Sequence, residues 1–154
     1  MRNNIKLCLP LINENNFMRI SIAIVLSTLF IGLSSCKKDP KSATYTIKEV
    51  DNSGVSALIT GIEKGEKTQI SIAICNATDG EHYEVHFHEG PPASYIGFAP
   101  YTFHHIQANG NKALHTENIN LKYENFVSLD VTCVIHPMGS ADVLARAGIG
   151  KNAE

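Results

Sequence analysis

An all-β fold, a Greek-key sandwich or barrel of about seven or eight strands, is what this sequence predicts. Three observations carry that reading. Short alternating or β-branched segments recur from residue 43 onward, Gly, Asn and Pro clusters separate them, and no sustained helical period, repeat or low-complexity tract intervenes. The 154 residues carry a formal charge of −2 and no block of Lys or Arg, which excludes a nucleic-acid binder that must neutralise several phosphates. A hydrophobic fraction of 44% excludes a disordered chain, and only one stretch nears membrane-span composition, which excludes a multi-span protein.

That stretch, residues 20–33, is too short to span a bilayer comfortably and follows Met18-Arg19, the layout of a secretory signal. Residues 1–17 are unlike a signal's basic start, so translation from Met18 is the alternative to Met1. Leu33-Ser34-Ser35-Cys36 resembles a bacterial lipobox, which implies cleavage before Cys36 and lipidation of its thiol. Lys37-Lys38-Asp39 resembles the signal after the lipidated cysteine of surface-exposed Bacteroidetes lipoproteins. The expected organisation is a signal over 1–35, a lipidated linker over 36–42 and a domain over 43–151, anchored in the bacterial envelope at the outer membrane. Removing residues 1–35 takes away Arg2, Lys6, Arg19 and Glu14 and leaves a net charge of −4.

Within the domain the expected strands are 43–50, 55–62, 68–75, 81–88, 97–106, 112–118, 126–135 and 144–149. The turn signals between them are Asp51-Asn52-Ser53-Gly54, Glu63-Lys64-Gly65-Glu66, Asn76 to Gly80, Gly90-Pro91-Pro92 and Asn109-Gly110. Single helical turns are expected within 121–126 and 140–144. With Cys8 in the leader and Cys36 lipidated, Cys75 and Cys133 are the pair left for an envelope disulfide, worth roughly 4 kcal/mol in the chain-entropy model. Two small buried thiols are the equal alternative.

All seven histidines lie between residues 82 and 136. His86 and His88, two apart on a strand, share a face at about 7 Å, a separation at which two imidazoles can grip one metal. His136, at the end of an apolar strand, is the candidate third ligand, while Cys133 faces the other way. His104 or His105 is a candidate fourth, strand alternation allowing only one of them to face the pair. His82 shares the parity of His86, Glu84 and Glu89 are candidate orienting carboxylates, and His115 is a surface residue. A shell of imidazoles favours copper by intrinsic affinity, with zinc as the alternative ion.

In order, Val55-Ser56-Ala57, Ile70 through Cys75, Asp79-Gly80-Glu81-His82, His86-Phe87-His88-Glu89-Gly90, Asn109-Gly110-Asn111, Thr132 to His136 and Leu144-Ala145 with Ile149-Gly150 resemble copper-zinc superoxide dismutase. Tyr45-Thr46-Ile47-Lys48-Glu49-Val50, the His86 to His88 strand, Val134-Ile135-His136 and Ile149-Gly150-Lys151-Asn152 resemble the chordin-type (CHRD) domain of flavobacterial lipoproteins. The resemblance implies copper ligands at His86, His88 and His136 and leaves only His104 or His105 to bridge to a second ion. The dismutase zinc half has no recognisable counterpart. Val143 stands where dismutases place the arginine that guides superoxide, and the loop before the last strand is shortened to Pro137 through Asp142. Capture of an anion needs a focused positive field, so efficient dismutation is not expected from a domain of charge −4. The expected function is therefore a lipid-anchored, dismutase-like domain holding a metal ion, with a slow superoxide dismutase or a metal-free adhesive CHRD module as alternatives.

Overall fold

A computed structural model describes residues 39–153. Residues 1–38, with the expected signal, its apolar stretch and Cys36, lie outside the described residues. Eight strands follow one another: β1 (Ser42–Glu49), β2 (Ser56–Lys64), β3 (Lys67–Cys75), β4 (His82–Glu89), β5 (Tyr101–Asn109), β6 (Lys112–Ile119), β7 (Asp130–Pro137) and β8 (Ala145–Gly150). One helical turn, α1 (Tyr123–Phe126), precedes β7. The all-β class is thus the observed one.

The strands close into a barrel in the order β1-β2-β3-β6-β5-β4-β7-β8, every neighbouring pair antiparallel. Because β6 returns to lie beside β3 after the β4–β5 excursion, the middle of the chain is a Greek key. Long ladders bind β1-β2-β3-β6 on one side and β5-β4-β7-β8 on the other. The two sides meet through only two residue pairs at each seam, Ala108↔Ala113 and Asn109↔Lys112 on one and Lys48↔Arg146 and Glu49↔Ala145 on the other. That is a flattened barrel, close to a sandwich.

Alternation explains the interior. Ile47, Ile59, Ile70, Ile72 and Ile74 from one wall meet Val85, Phe87, Val131, Cys133, Ile135 and Ile149 from the other, all essentially inaccessible to solvent. Phe126 from α1 lies over Gly61, where a Cβ would collide with the phenyl ring, and its edge meets Tyr45 at 5.8 Å between centroids. Gly61 is therefore the gap that admits Phe126, and α1 exists to deliver that ring.

Three expectations need correction. The fifth strand starts at Tyr101, not at 97, because the residues after Gly90-Pro91-Pro92 form an irregular excursion that leaves Ile96 and Phe98 exposed. No helical turn forms over 140–144. The Cys75–Cys133 bridge is not made: Cys133 is a free thiol. Cys133 points inward with Val131 and Ile135, whereas Cys75 lies on β3 out of phase with the inward Ile70, Ile72 and Ile74, and β3 and β7 stand on opposite walls. Burial in the apolar core pushes the Cys133 thiol far above its ordinary range.

Candidate metal centre

Strand β4 carries two residue sets. Tyr83, Val85 and Phe87 fill the core, which obliges His82, Glu84, His86 and His88 to stand in one row on the outer wall. The flanking register brings the partners. Glu84 lies opposite His136 on β7, while His86 lies between Val134 on β7 and Thr102 on β5. Since Val131, Cys133 and Ile135 point inward, His136 points outward, and its ring stacks on that of His86 with centroids 4.8 Å apart and planes 2° from parallel.

Among the described residues the tightest group of possible donors is Glu84, His86 and His136, whose nearest ligand atoms all lie within 4.8 Å of one another. Glu84 Oε2 is 3.5 Å from His86 Nε2 and 4.0 Å from His136 Nε2. Four donors set tetrahedrally around zinc or copper at about 2.1 Å lie about 3.4 Å apart, so small side-chain rotations bring these three atoms to ligating distance. The group can hold a metal ion.

Hydrogen bonding supplies the correct lone pairs. A carbonyl only accepts, so His136 Nδ1–H donates to the Pro137 carbonyl (3.1 Å) and His88 Nδ1–H donates to the Ile96 carbonyl (3.0 Å). In the neutral form of each ring this puts the lone pair on Nε2, the tautomer typical of metal-bound imidazoles. His86 Nδ1 pairs with the Thr102 hydroxyl at 3.1 Å, which leaves its Nε2 toward Glu84. His104 Nδ1–H donates to Glu84 Oε1 at 2.8 Å.

Charge follows geometry. Glu84 is held below the ordinary carboxylate range chiefly by the hydrogen bond from His104, against the opposing effect of burial. His86, only 17% exposed, is held below the ordinary imidazole range, chiefly by burial and next by repulsion from His136, with Glu84 acting the other way. At neutral pH the pair is an anion beside a neutral imidazole, the protonation states that bind a cation.

Of the expected ligands, His86 and His136 converge. The His88 ring lies 5.6 Å from that of His86, outside the tightest group, and packs 5.1 Å from Tyr95. The His104 ring lies 6.1 Å from that of His86 and reaches the group through Glu84. His115, on β6, pairs with Glu117 and packs against Phe103, away from the cluster. Glu84, expected as an orienting carboxylate, stands among the donors themselves. Its role depends on the register Glu84↔His136, for which the sequence carries no signal.

Strict alternation would also have sent one of His104 and His105 inward. Instead β5 has one extra residue opposite Glu84: Tyr83 pairs with Ile106 and Val85 with Phe103. This bulge places His105 at a φ of 56° and leaves both histidines exposed between the buried Phe103 and Ile106. His104 leans to His86, and His105 to His82, with centroids 6.3 Å apart. Six of the seven histidines therefore share one outer face formed by β5, β4 and β7.

Arg146 is outward on β8, opposite Val134, with its guanidinium 5.8 Å from the Tyr95 ring centre. No family model, curated protein or solved structure matches the chain.

Proposed function

We propose that this chain is an envelope lipoprotein whose dismutase-like, chordin-type domain holds one transition-metal ion, copper before zinc, through Glu84, His86 and His136, for storage, delivery or sensing rather than rapid turnover. The single observation that carries the metal reading is the stacked His86–His136 pair, whose Nε2 atoms face one carboxylate oxygen at 3.5 and 4.0 Å. His88 and His104 flank the group and are the candidates to complete its coordination. Copper precedes zinc because an imidazole-rich set follows the intrinsic affinity order of divalent ions. The lipobox-like Leu33-Ser34-Ser35-Cys36 and the motif order support the anchored, chordin-type part of the reading.

A slow superoxide dismutase is the second reading. It is favoured by Arg146, whose guanidinium lies 5.8 Å from the centre of the Tyr95 ring that packs against His88, although its strand parity does not replace Val143. The test is metal analysis of the purified full chain beside His86→Ala, with dismutation measured on the copper-loaded protein. One equivalent of divalent metal, zinc or copper(II), in the parent that is lost in the variant supports the binding reading, and absent turnover removes the dismutase. A parent chain that takes up neither copper nor zinc overturns both and leaves an adhesive module.

A further inference from the structure

The outward row of β4 does not end at Glu84. One step further stands His82, and just past Tyr83↔Pro137, the last pair of the β4–β7 ladder, the turn residue Met138 donates its N–H to the His82 carbonyl at 2.8 Å. That bond holds the Met138 backbone against that of His82 on the β7 side. On the other side the bulge delivers His105, whose ring meets that of His82 edge to face at 6.3 Å.

Three features of this corner are costly if it serves only structure. His82 Nδ1 is wholly buried with no hydrogen-bond partner, the state that ordinarily calls for a water or an ion. His105 is a non-glycine residue in the left-handed region, a conformation that persists where the surroundings impose it and that gathers at functional sites. Met138, the one methionine in residues 36–154, is 42% exposed rather than packed in the core.

We infer that His82, His105 and Met138 form a second metal site, selective for a monovalent soft ion, copper(I). Two imidazoles and a thioether suit copper(I), whereas the carboxylate of Glu84 makes its own group suited to a divalent ion. A single outer face would then offer two donor sets of different softness, with His82 and Glu84 one step apart in the outward row of β4. This inference does not depend on occupancy of the Glu84 group.

The test uses the full chain loaded anaerobically with copper(I) in competition with a chromophoric copper(I) chelator, with X-ray absorption at the copper edge, and a parallel zinc titration. The expected result is a sulfur scatterer at copper(I) and at least tenfold weaker copper(I) binding in Met138→Leu, with zinc affinity unchanged. Because Met138 is exposed, that variant keeps the fold, and Met138→Leu with an unaltered melting temperature verifies it. Absence of the sulfur scatterer, or copper(I) binding in Met138→Leu within twofold of the parent, overturns the site. His86→Ala separates the two readings. Loss of zinc with the copper–sulfur signal retained is expected, a parent chain that takes no zinc but keeps the signal sinks only the Glu84 group, and loss of the signal in His86→Ala refutes an independent second site.

Discussion

Replacing Glu84 by Gln removes a charge while keeping the shape. The amide oxygen can still accept the His104 N–H that Glu84 Oε1 accepts at 2.8 Å, so the apo domain retains its local geometry. Side-chain exposure of 19% keeps the lost charge contact partly screened, and the apo stability change should stay below about 1 kcal/mol. Metal affinity should respond far more. Mutating a mere orienting partner of a ligand costs about 10–100-fold. Glu84 lies 3.5 and 4.0 Å from the two Nε2 atoms and supplies the only negative charge of the tightest donor group, so the loss should be at least about 100-fold. That corresponds to about 2.8 kcal/mol at about 1.4 kcal/mol per decade. Competition titration of zinc and copper(II) at pH 7, with thermal melts of the apo proteins, measures both quantities. Affinity within threefold of the parent, with an unchanged melt, would show that Glu84 is no ligand and refute the donor assignment.

Other outcomes follow from the same geometry. Acidification should weaken metal binding, because a proton on the His86 imidazole competes with the metal for its lone pair. Apo stability should fall in the same direction. His86 is depressed in the fold, so the unfolded chain binds its proton first and stability drops as pH falls below about 6.5, while the depressed Glu84 adds a second decline below about 4.5; a melting temperature flat from pH 7 to 4 contradicts this. Gly61→Ala should destabilise by about 1–3 kcal/mol through collision with the Phe126 ring, read by denaturant melts. Cys133 should resist thiol reagents in the native chain and react only on unfolding, since it is fully buried and its thiolate is suppressed.

The strands were readable because the interior enforces period two. Ile70, Ile72 and Ile74 on β3, and Tyr83, Val85 and Phe87 on β4, state their inward faces in the sequence, and the outward row His82, Glu84, His86, His88 follows. Pairing was not readable. The arrival of His136 opposite Glu84 depends on β7 docking beside β4 in one register, and nothing local encodes that choice. The same gap hid the bulge, since Phe103-His104-His105-Ile106 reads as ordinary alternation interrupted by a polar pair until Glu84 is found facing both histidines. Cys75 and Cys133 each looked available, yet their phase against the core sends one outward and the other inward on opposite walls. Residues 97–100 read as the start of the fifth strand, yet Pro100 cannot donate to a ladder and β5 begins only at Tyr101, which leaves Phe98 exposed.

The claim on which the rest stands is that the Nε2 atoms of His86 and His136 bind the same ion. Imidazole nitrogen NMR of the full chain during zinc addition reads those atoms directly. The account predicts that both Nε2 signals move together and saturate at one equivalent, while the His136 Nδ1 proton bonded to Pro137 persists. A His136 ring that keeps its free-state signals while His86 titrates would contradict it.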